Sequence, residues 1–151
     1  MSKKKNFGKT YNQLKVGQKL RHWPRKTISD SEHSLFCLLT MNHHPIHIDK
    51  VFARNTQHKK ILVNGTFVFS LVVGMTVKDI SGMAIANLNY ERIDHHYPVY
   101  LNDTLSAYSI IQRKETASGN KKNAKIKVFT YAENQKGKKV LSFYRTFLIK
   151  K

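Results

Sequence analysis

The stretch that determines the fold of this chain reads Asn64-Gly65-Thr66-Phe67-Val68-Phe69-Ser70-Leu71-Val72-Val73-Gly74-Met75-Thr76-Val77. Beyond Thr66 the run is apolar on every helical face, a pattern typical of a helix that other structure encloses. Ser70 and Gly74 lie four residues apart and predict one small face on which a sheet can pack closely. Ser81-Gly82 carries the glycine signal that commonly ends a helix. We therefore predict a long central helix over about residues 66–80.

Strand-like segments follow this helix to the end of the chain. They span residues 84–93, 104–113, 124–132 and 140–149. Apolar and polar residues alternate clearly in Lys125-Ile126-Lys127-Val128-Phe129, as expected of a strand with one buried face. Several antiparallel strands after one buried helix predict an α+β domain whose sheet wraps around that helix.

Shorter elements are predicted upstream of the central helix. Proline interrupts a strand, and an aspartate side chain accepts hydrogen bonds from the free N–H groups at a helix start. In chain order, the predicted elements are a strand over 14–28 interrupted at Pro24, a helix over about 31–41 capped by Asp30, a helix capped by Asp49 that ends near Thr56, and a strand over 61–63.

A histidine-rich segment lies between the two short helices. Residues 40–49 read Thr-Met-Asn-His-His-Pro-Ile-His-Ile-Asp, which puts Asn42 five residues before His47. Clustered imidazoles and an amide at this spacing are typical of a site that holds water or moves protons. Pro45 ends any helical continuation and biases His44 toward an extended conformation. A loop or an irregular turn is therefore predicted here.

The start of the central helix supplies the second part of a candidate site. Gly65 lies eighteen residues after His47, in the element Asn64-Gly65-Thr66. Backbone N–H groups at a glycine-led helix start have no partner within the helix and face the positive end of its dipole, so they bind oxyanions. A proton-transfer group and an oxyanion site in one small domain indicate chemistry at a carbonyl.

The charge of the chain favours anionic partners. Its 151 residues include 27 basic and 9 acidic side chains, which gives a formal charge of +18. The lysines gather mostly at the ends and at predicted hairpin tips, which favours a charged, soluble surface; steering of a polyphosphate-bearing ligand is the next interpretation. Nucleic acid comes third, because we find no recognition motif and no clustered aromatic platform, and no specific nucleic acid is predicted. Residues 1–10 are predicted to form a flexible basic N-terminus.

The single cysteine and the apolar segments bear on the compartment. Cys37 lies in an apolar run, so neither a disulfide framework nor a thiolate metal site is available, and a buried, inert thiol is expected. The longest apolar segment, 61–77, falls short of the ~20 residues that a membrane span needs. No apolar stretch follows the N-terminal lysines as it would in a secretory signal. We predict a cytoplasmic protein without membrane association.

Three histidines within five residues, His43, His44 and His47, are also potential metal ligands. Neighbouring side chains on an extended segment point in different directions, and neither a cysteine nor an acidic cluster completes a ligand set. We therefore predict no metal and no other cofactor. His95 and His96 precede a proline in a predicted loop and are interpreted as solvated surface.

The histidine segment and the helix start together carry a family resemblance. Met41-Asn42-His43-His44-Pro45-Ile46-His47, followed by Asn64-Gly65, resembles the signature of the MaoC-like dehydratase family, hot-dog-fold hydratases that include the (R)-specific enoyl-CoA hydratases. That signature reads Gly-Asp-x-Asn-Pro-(aliphatic)-His, with a later His-Gly that opens the central helix. Pro98-Val99 with Asp103-Thr104-Leu105 is similar to the family's Pro-Val and Gly-Asp-Thr-Leu at the start of a strand. The resemblance covers nearly the whole chain.

The resemblance implies a fold and an assembly. The fold is α+β, with a single MaoC-like hot-dog domain over residues 1–151. A hot-dog domain of this length is half of the usual active unit, so the family implies a homodimer with two sheets joined edge to edge, or a larger assembly of such dimers. Acyl-CoA is then expected near the subunit interface.

The resemblance also implies an activity, the reversible addition of water across the double bond of a 2-enoyl-CoA thioester. The family uses an aspartate and a histidine to hold and activate the water, and a backbone N–H at the helix-opening glycine to stabilise the oxyanion. By motif position His47 carries over as the proton-transfer residue and Gly65 as the oxyanion donor, with Asn64 and His44 assigned to substrate binding. Asn42 falls where the family has aspartate. Because an amide cannot accept a proton as a carboxylate does, Asn42 is expected to orient the water or the His47 ring.

Other versions of the site stay open. Proton transfer could also recruit His43, His44 or Asp49, or the site could bind acyl thioesters without hydrating them. Hot-dog thioesterases are the nearest enzymatic alternative, and they typically use a carboxylate on or beside the central helix. The helix has none over 66–77, and Asp79 comes only near its end, so the hydratase interpretation leads.

The residues of the two motifs suggest which acyl group the substrate carries. Thr-Met-Asn-His-His-Pro-Ile-His, with Val-Asn-Gly-Thr later, resembles the branch of the family similar to mesaconyl-CoA hydratases. That branch implies branched or dicarboxylic acyl groups of four or five carbons. Arg54 and Arg92 are candidate partners for a second carboxylate, because a guanidinium binds a carboxylate in a bidentate manner.

Overall fold

A computed structural model describes residues 7–151 of the chain. Residues 1–6 of the predicted flexible N-terminus therefore lie outside the described residues. Of the rest, Gly8 packs so closely on Gly82 that a Cβ atom at Gly8 would lie 2.8 Å from the Gly82 Cα. The glycine signal at residue 82 therefore serves a close approach of two backbone segments as well as the end of a helix.

One antiparallel sheet makes up most of the molecule. Its strands are β1 (Lys19–Arg21), β2 (Lys26–Thr27), β3 (Ala84–His95), β4 (Thr104–Thr116), β5 (Asn123–Glu133) and β6 (Lys139–Lys150). They lie in the order β1-β4-β5-β6-β3, and β2 pairs with the other end of β4. The four predicted strands of the second half are confirmed, as is the early strand broken near Pro24. The sheet leaves β3 at one edge, paired on one side with β6.

Four α-helices precede the long strands in the chain, and the longest of them packs on the sheet through the main core. They are α1 (Asp30–Leu39), α2 (Pro45–Ile48), α3 (Lys50–Arg54) and α4 (Gly65–Thr76), and a π-helical turn over Val77–Ser81 continues α4. The predicted central helix is confirmed. None of the helices within residues 7–151 is long and apolar enough to cross a membrane.

The core lies between α4 and the inner face of the sheet. Val68 and Val72 pack in one buried cluster with Leu105, Leu141 and Phe143 of the strands. A second cluster lies under the far end of the helix; its members are Leu14, Ile80, Ile111, Ala124, Ile126, Val128, Phe147 and Ile149. Alternate residues of β5 are buried along its length, as the alternation in the sequence predicts.

Three predictions about the short elements are wrong. Ser29, and not Asp30, caps α1: its hydroxyl accepts the Glu32 N–H, and the Glu32 carboxylate accepts the Ser29 N–H at 3.0 Å. The histidine segment is not all loop, because Pro45 opens α2; proline suits the first residue of a helix, where its missing N–H costs nothing. The predicted strand over 61–63 is reduced to a single bridge between Leu62 and Tyr100.

The small face of α4 points in an unexpected direction. Thr66, Ser70 and Gly74 are exposed rather than packed on the sheet, and nothing lies within 4 Å of a Cβ atom built at Gly74. The larger residues Val68 and Val72 face the sheet instead, because they bury more apolar surface there. In a single chain, α4 is therefore enclosed on one side only.

Candidate active site

Asn64 caps the N-terminus of α4. Its Oδ1 accepts hydrogen bonds from the Thr66 backbone nitrogen at 2.9 Å and from the Thr66 hydroxyl at 2.7 Å. Gly65, the first residue of the helix, has no acceptor for its N–H within the helix. The side-chain oxygen of Asn64 is thus used inside the protein, whereas the Gly65 N–H has no partner within the helix.

His47 is held in one tautomer by the backbone. Its Nδ1 lies 2.7 Å from the carbonyl oxygen of Leu62. A carbonyl oxygen only accepts hydrogen bonds, so Nδ1 carries the proton and, in the neutral ring, Nε2 keeps its lone pair. The half-buried ring therefore offers Nε2 as a hydrogen-bond acceptor and a base.

His47 and Gly65 line the same cavity, of about 260 Å³. Its walls are largely apolar and come from the segment before α4, from α4 itself and from the segment after β3. The lining residues are His47, His58, Leu62, Val63, Gly65, Val68, His95, His96, Tyr97, Pro98 and Val99. The fold thus joins the predicted proton-transfer residue and the predicted oxyanion donor in one pocket.

His95 lies directly over the start of α4. A Cβ atom built at Gly65 would be 3.0 Å from both Cε1 and Nε2 of the His95 ring. Only glycine leaves room for this contact without a shift of the ring. Partial burial, and then the neighbouring His96, lower the pKa of His95, which favours a neutral ring at the pocket wall.

The interpretation of His95 and His96 as plain solvated surface is incomplete. Part of each side chain reaches solvent, but both line the cavity, and Nε2 of His96 shares a 2.7 Å hydrogen bond with the Ser142 hydroxyl. Their position follows from the register of β3 on β6, in which His95 pairs with Leu141. No local pattern in the sequence signals this placement.

Asn42 and His44 are not among the residues that line the cavity. Asn42 Oδ1 accepts the His44 N–H at 3.4 Å, and the Asn42 N–H donates to the Cys37 carbonyl at 3.0 Å. His44 caps α2, since its Nδ1 accepts the Ile46 N–H at 3.2 Å. Its ring stands edge-on to that of His47, with centroids 6.1 Å apart. Their predicted roles toward water and substrate stay predictions.

His33 is a residue of this region that sequence reasoning missed. It is fully buried on α1, and its Nε2 accepts the backbone N–H of Asn64 at 2.9 Å. Its ring is edge-on to His47, with centroids 6.1 Å apart. Burial, followed by the nearby His47, lowers the pKa of His33 and keeps it neutral. The sequence offered one signal, a histidine one helical turn before the buried Cys37.

Cys37 behaves as its apolar surroundings predict. The side chain is fully buried, and its sulfur lies 3.5 Å from His33 Nε2. Burial raises the pKa of the thiol, so it stays protonated. The prediction of a buried thiol is confirmed.

Asp79, His22 and Ser109 are hydrogen-bonded in series as in a catalytic triad, but the serine is closed to a substrate. Asp79 and Nδ1 of His22 are joined by a 2.9 Å hydrogen bond, and Nε2 of His22 and the Ser109 hydroxyl by another of 2.9 Å. Ser109 has no solvent exposure and hydrogen-bonds onward to Thr130 at 2.8 Å. The group is a buried polar network. Asp79 belongs to it, roughly 20 Å along the helix from Gly65 at 1.5 Å per residue, and so contributes no carboxylate to the His47 cavity.

Metal ligation finds no support in the geometry. Within residues 7–151 no group of three or more His, Cys, Asp or Glu side chains is arranged to hold a metal ion. His43, His44 and His47 are therefore separate side chains rather than a ligand set.

Comparison with known proteins identifies the relatives of this chain. A family model described as MaoC like domain matches residues 11–133. Mesaconyl-CoA hydratase from Cereibacter sphaeroides is 34% identical over 149 residues, which are 98% of this chain and 43% of that protein. The chain spans less than half the length of the curated relatives it matches first.

Solved structures show the same fold. A protein from Chloroflexus aurantiacus J-10-fl, described as a MaoC domain protein dehydratase, matches with a TM-score of 0.91 and 29% identity over 99% of this chain and 42% of that one. Rv0216 from Mycobacterium tuberculosis, described as a double hot-dog fold, matches with a TM-score of 0.85 and 18% identity over 95% of this chain and 44% of that one. The predicted hot-dog fold is confirmed.

Proposed function

The chain belongs to the MaoC-like domain family, and on that premise we propose that it catalyses the reversible addition of water across the double bond of a 2-enoyl-CoA thioester. One observation carries the proposal: His47, with Nε2 free to accept a proton, and Gly65, with a free N–H, line one cavity. These are the two groups that the reaction requires.

The steps follow from the two groups. His47 Nε2 accepts a proton from water as the water oxygen bonds to the β-carbon, and the π electrons of the enoyl group move onto the thioester oxygen. The Gly65 N–H at the positive end of α4 stabilises that enolate oxygen. The imidazolium then returns a proton to the α-carbon, and neutral His47 is restored. The largely apolar walls strengthen both interactions, because they exclude competing water.

Asn42 has a supporting part in this scheme. The amide cannot take up the proton, so His47 alone performs the transfer. The side-chain oxygen of Asn42 accepts the His44 N–H, which leaves the side-chain NH2 group for another partner. We assign Asn42 to holding the water or the histidine segment in position.

The acyl group we propose is branched or dicarboxylic, with four or five carbons, as in mesaconyl-CoA. The proposal is supported by the relative from Cereibacter sphaeroides, which is named for that substrate. Neither Arg54 nor Arg92 lines the His47 cavity in the single chain, so no arginine among the described lining residues is available there for a second carboxylate. If the substrate is dicarboxylic, its outer carboxylate is expected to meet a group from a second subunit.

We also propose that two such units join through β3. β3 is an edge strand, and it exposes Ile85, Leu88 and Ile93. Exposed apolar side chains on an unpaired edge strand favour association. The match to less than half of a double hot-dog protein agrees with pairing of two units.

A binding protein without turnover is the second candidate, and the observation that favours it is the amide at residue 42 where the family has a carboxylate. Hydrolysis of the thioester is the third, but the carboxylate of Asp79 lies far from the His47 cavity and is used in the buried network with His22. The three candidates differ in the product: a hydroxyacyl thioester, none, or a free thiol.

Mesaconyl and crotonyl thioesters of coenzyme A, assayed for loss of the conjugated enoyl absorbance and for thiol release, test the proposal. Wild-type protein is expected to consume the double bond without thiol release. The His47→Gln variant should lose about 10²- to 10⁴-fold in rate, the usual contribution of a general base. His43→Gln, which changes an exposed neighbouring imidazole, is the matched control and should keep the rate. Binding without turnover would establish the second candidate instead.

A further inference from the structure

A second cavity, of about 240 Å³, lies beside the His47 site and has four cations around it. Lys50, Arg54, Lys59 and Lys60 line it together with Ile61, Leu101 and Asn102. It contains no acidic lining residue among those described. Other lysine groups of the chain, such as Lys121 and Lys122, lie at an exposed turn instead.

The charges around this second cavity, here called the basic cavity, are only partly balanced. Lys50 pairs with Asp30, with Nζ 3.1 Å from Oδ2. The ammonium of Lys60 lies 4.1 Å from the centroid of the Tyr100 ring, which holds it by a cation–π contact but brings no negative charge. Within residues 7–151, no ion pair involves Arg54, Lys59 or Lys60. An anion bound here would gain from several cations at once.

The floor of the basic cavity is apolar. Ile61 is 6% exposed and Leu101 is partly buried against the main core. A cavity that combines an apolar floor with a cationic rim fits a ligand with a flat, weakly polar ring and attached phosphates. A simple inorganic anion would make no use of the floor.

A continuous concave surface joins the basic cavity to the reaction site. It is lined by His47, Ile48, Asp49, Lys50 and Ile61, with further residues of α1. His47 also lines the reaction cavity, whereas Lys50 and Ile61 also line the basic cavity. Its two carboxylates are already engaged: Asp30 pairs with Lys50, and Asp49 accepts the N–H groups that open α3.

We propose that the basic cavity binds the phosphorylated adenosine end of coenzyme A, with the adenine on Ile61 and Leu101 and the phosphates on Arg54, Lys59 and Lys60. The proposal rests on the proposed function, because it takes the thioester end to lie at His47 and Gly65. The pantetheine arm then follows the surface past Lys50. Arg54 is thereby assigned to a phosphate rather than to a second carboxylate of the acyl group.

The test uses titration calorimetry with the full chain and three probes: coenzyme A, pantetheine and adenosine 3′,5′-bisphosphate. Wild-type protein is expected to bind adenosine 3′,5′-bisphosphate and to bind coenzyme A more tightly than pantetheine. The Arg54→Gln/Lys59→Gln variant should weaken coenzyme A binding on the order of tenfold or more, since hydrogen bonds to charged groups are worth this much. It should also flatten the dependence of that affinity on salt concentration.

Lys121→Gln/Lys122→Gln removes the same charge from a distant turn and is the matched control. The proposal is overturned if adenosine 3′,5′-bisphosphate does not bind the wild type, or if the two double variants weaken coenzyme A binding equally, since a general charge effect would then suffice. Hydration of a mesaconyl pantetheine thioester by the wild type is measured in parallel. It tests the proposed function without the nucleotide, so failure of one proposal is distinguishable from failure of the other.

Discussion

Nε2 of His33 accepts the backbone N–H of Asn64 at 2.9 Å, so a buried imidazole on α1 holds the residue that caps α4. The same ring stands edge-on to His47. One side chain thus contacts both parts of the proposed site, the proton-transfer residue and the start of the oxyanion-binding helix. An acceptor is required at Nε2, which fits a histidine that burial keeps neutral.

Replacement of His33 by leucine is expected to lower both stability and turnover. The Asn64 N–H would lose its acceptor inside the protein, at a cost of about 1–3 kcal/mol in the free energy of unfolding. Urea unfolding and the hydration rate measure the two effects. His33→Gln, whose side-chain oxygen can accept the same N–H, should restore part of each. Equal behaviour of the two variants would show that the hydrogen bond has no role beyond packing.

Two substitutions of Asn42 are expected to show whether residue 42 acts as a hydrogen-bond acceptor or as a base. Asn42→Ala removes the acceptor for the His44 N–H and should lower the hydration rate roughly tenfold, the effect of lost positioning. Asn42→Asp keeps the acceptor and adds a carboxylate, so its rate should equal or exceed that of the wild type. A higher rate for Asn42→Asp, together with an unchanged rate for His47→Ala, would contradict proton transfer by His47 alone.

Gly65→Ala is expected to reduce turnover through His95. The new methyl group would lie 3.0 Å from the His95 ring, which must move away from the start of α4. We expect a loss of roughly tenfold in rate with less than about 1 kcal/mol lost in stability, because alanine is a good helix former. The double variant Gly65→Ala/His95→Ala completes a mutant cycle. If contact with the His95 ring causes the loss, the double variant should hydrate the thioester no more slowly than His95→Ala alone. Additive losses of rate from the two substitutions would contradict this explanation.

Stability is expected to fall as the pH falls below about 6.5. Burial lowers the pKa of His22, against an opposing effect of Asp79, and also that of His33. Because both folded-state pKa values lie below the unfolded value near 6.5, the unfolded chain binds more protons in this range. The stabilisation is complete above that pH and is lost as the pH drops toward the folded values.

Urea unfolding between pH 8 and pH 5.5 measures this effect. Each of the two histidines contributes a slope of up to about 1.4 kcal/mol per pH unit. His33→Gln should reduce the slope, whereas His43→Gln, at an exposed position, should leave it unchanged. A curve that is flat over this range would contradict the assignment.

Charge on β3 is expected to prevent association. Leu88 is 45% exposed on the edge strand, and Leu88→Lys should convert a dimer to a monomer, because a buried ammonium would oppose pairing. Analytical ultracentrifugation measures the mass. Leu39→Lys changes a leucine on α1 that is 74% exposed, and it should keep the wild-type mass. The same loss of mass in both variants would argue against β3 as the interface.

Local patterns in the sequence predict much of this molecule. The unbroken apolar run after Thr66 and the alternation around Ile126 predict the central helix and the sheet, because they repeat with the period of the element that they form. Errors gather at caps and short turns. Ser29 and Asp30 are both good caps, and Pro45 equally ends one helix or opens another, so neighbouring residues alone do not choose between them.

The candidate site also has features that the sequence predicts and features that only the tertiary structure decides. The spacing of Asn42, His47 and Gly65 predicts the chemistry, and the motifs around these residues carry the resemblance that indicates the family. The contact of His33 with Asn64, the approach of His95 to Gly65, and the outward face of Ser70 are results of tertiary structure. Each depends on how segments far apart in the chain pack and pair, and the free energy of such contacts comes from partners that no local pattern identifies.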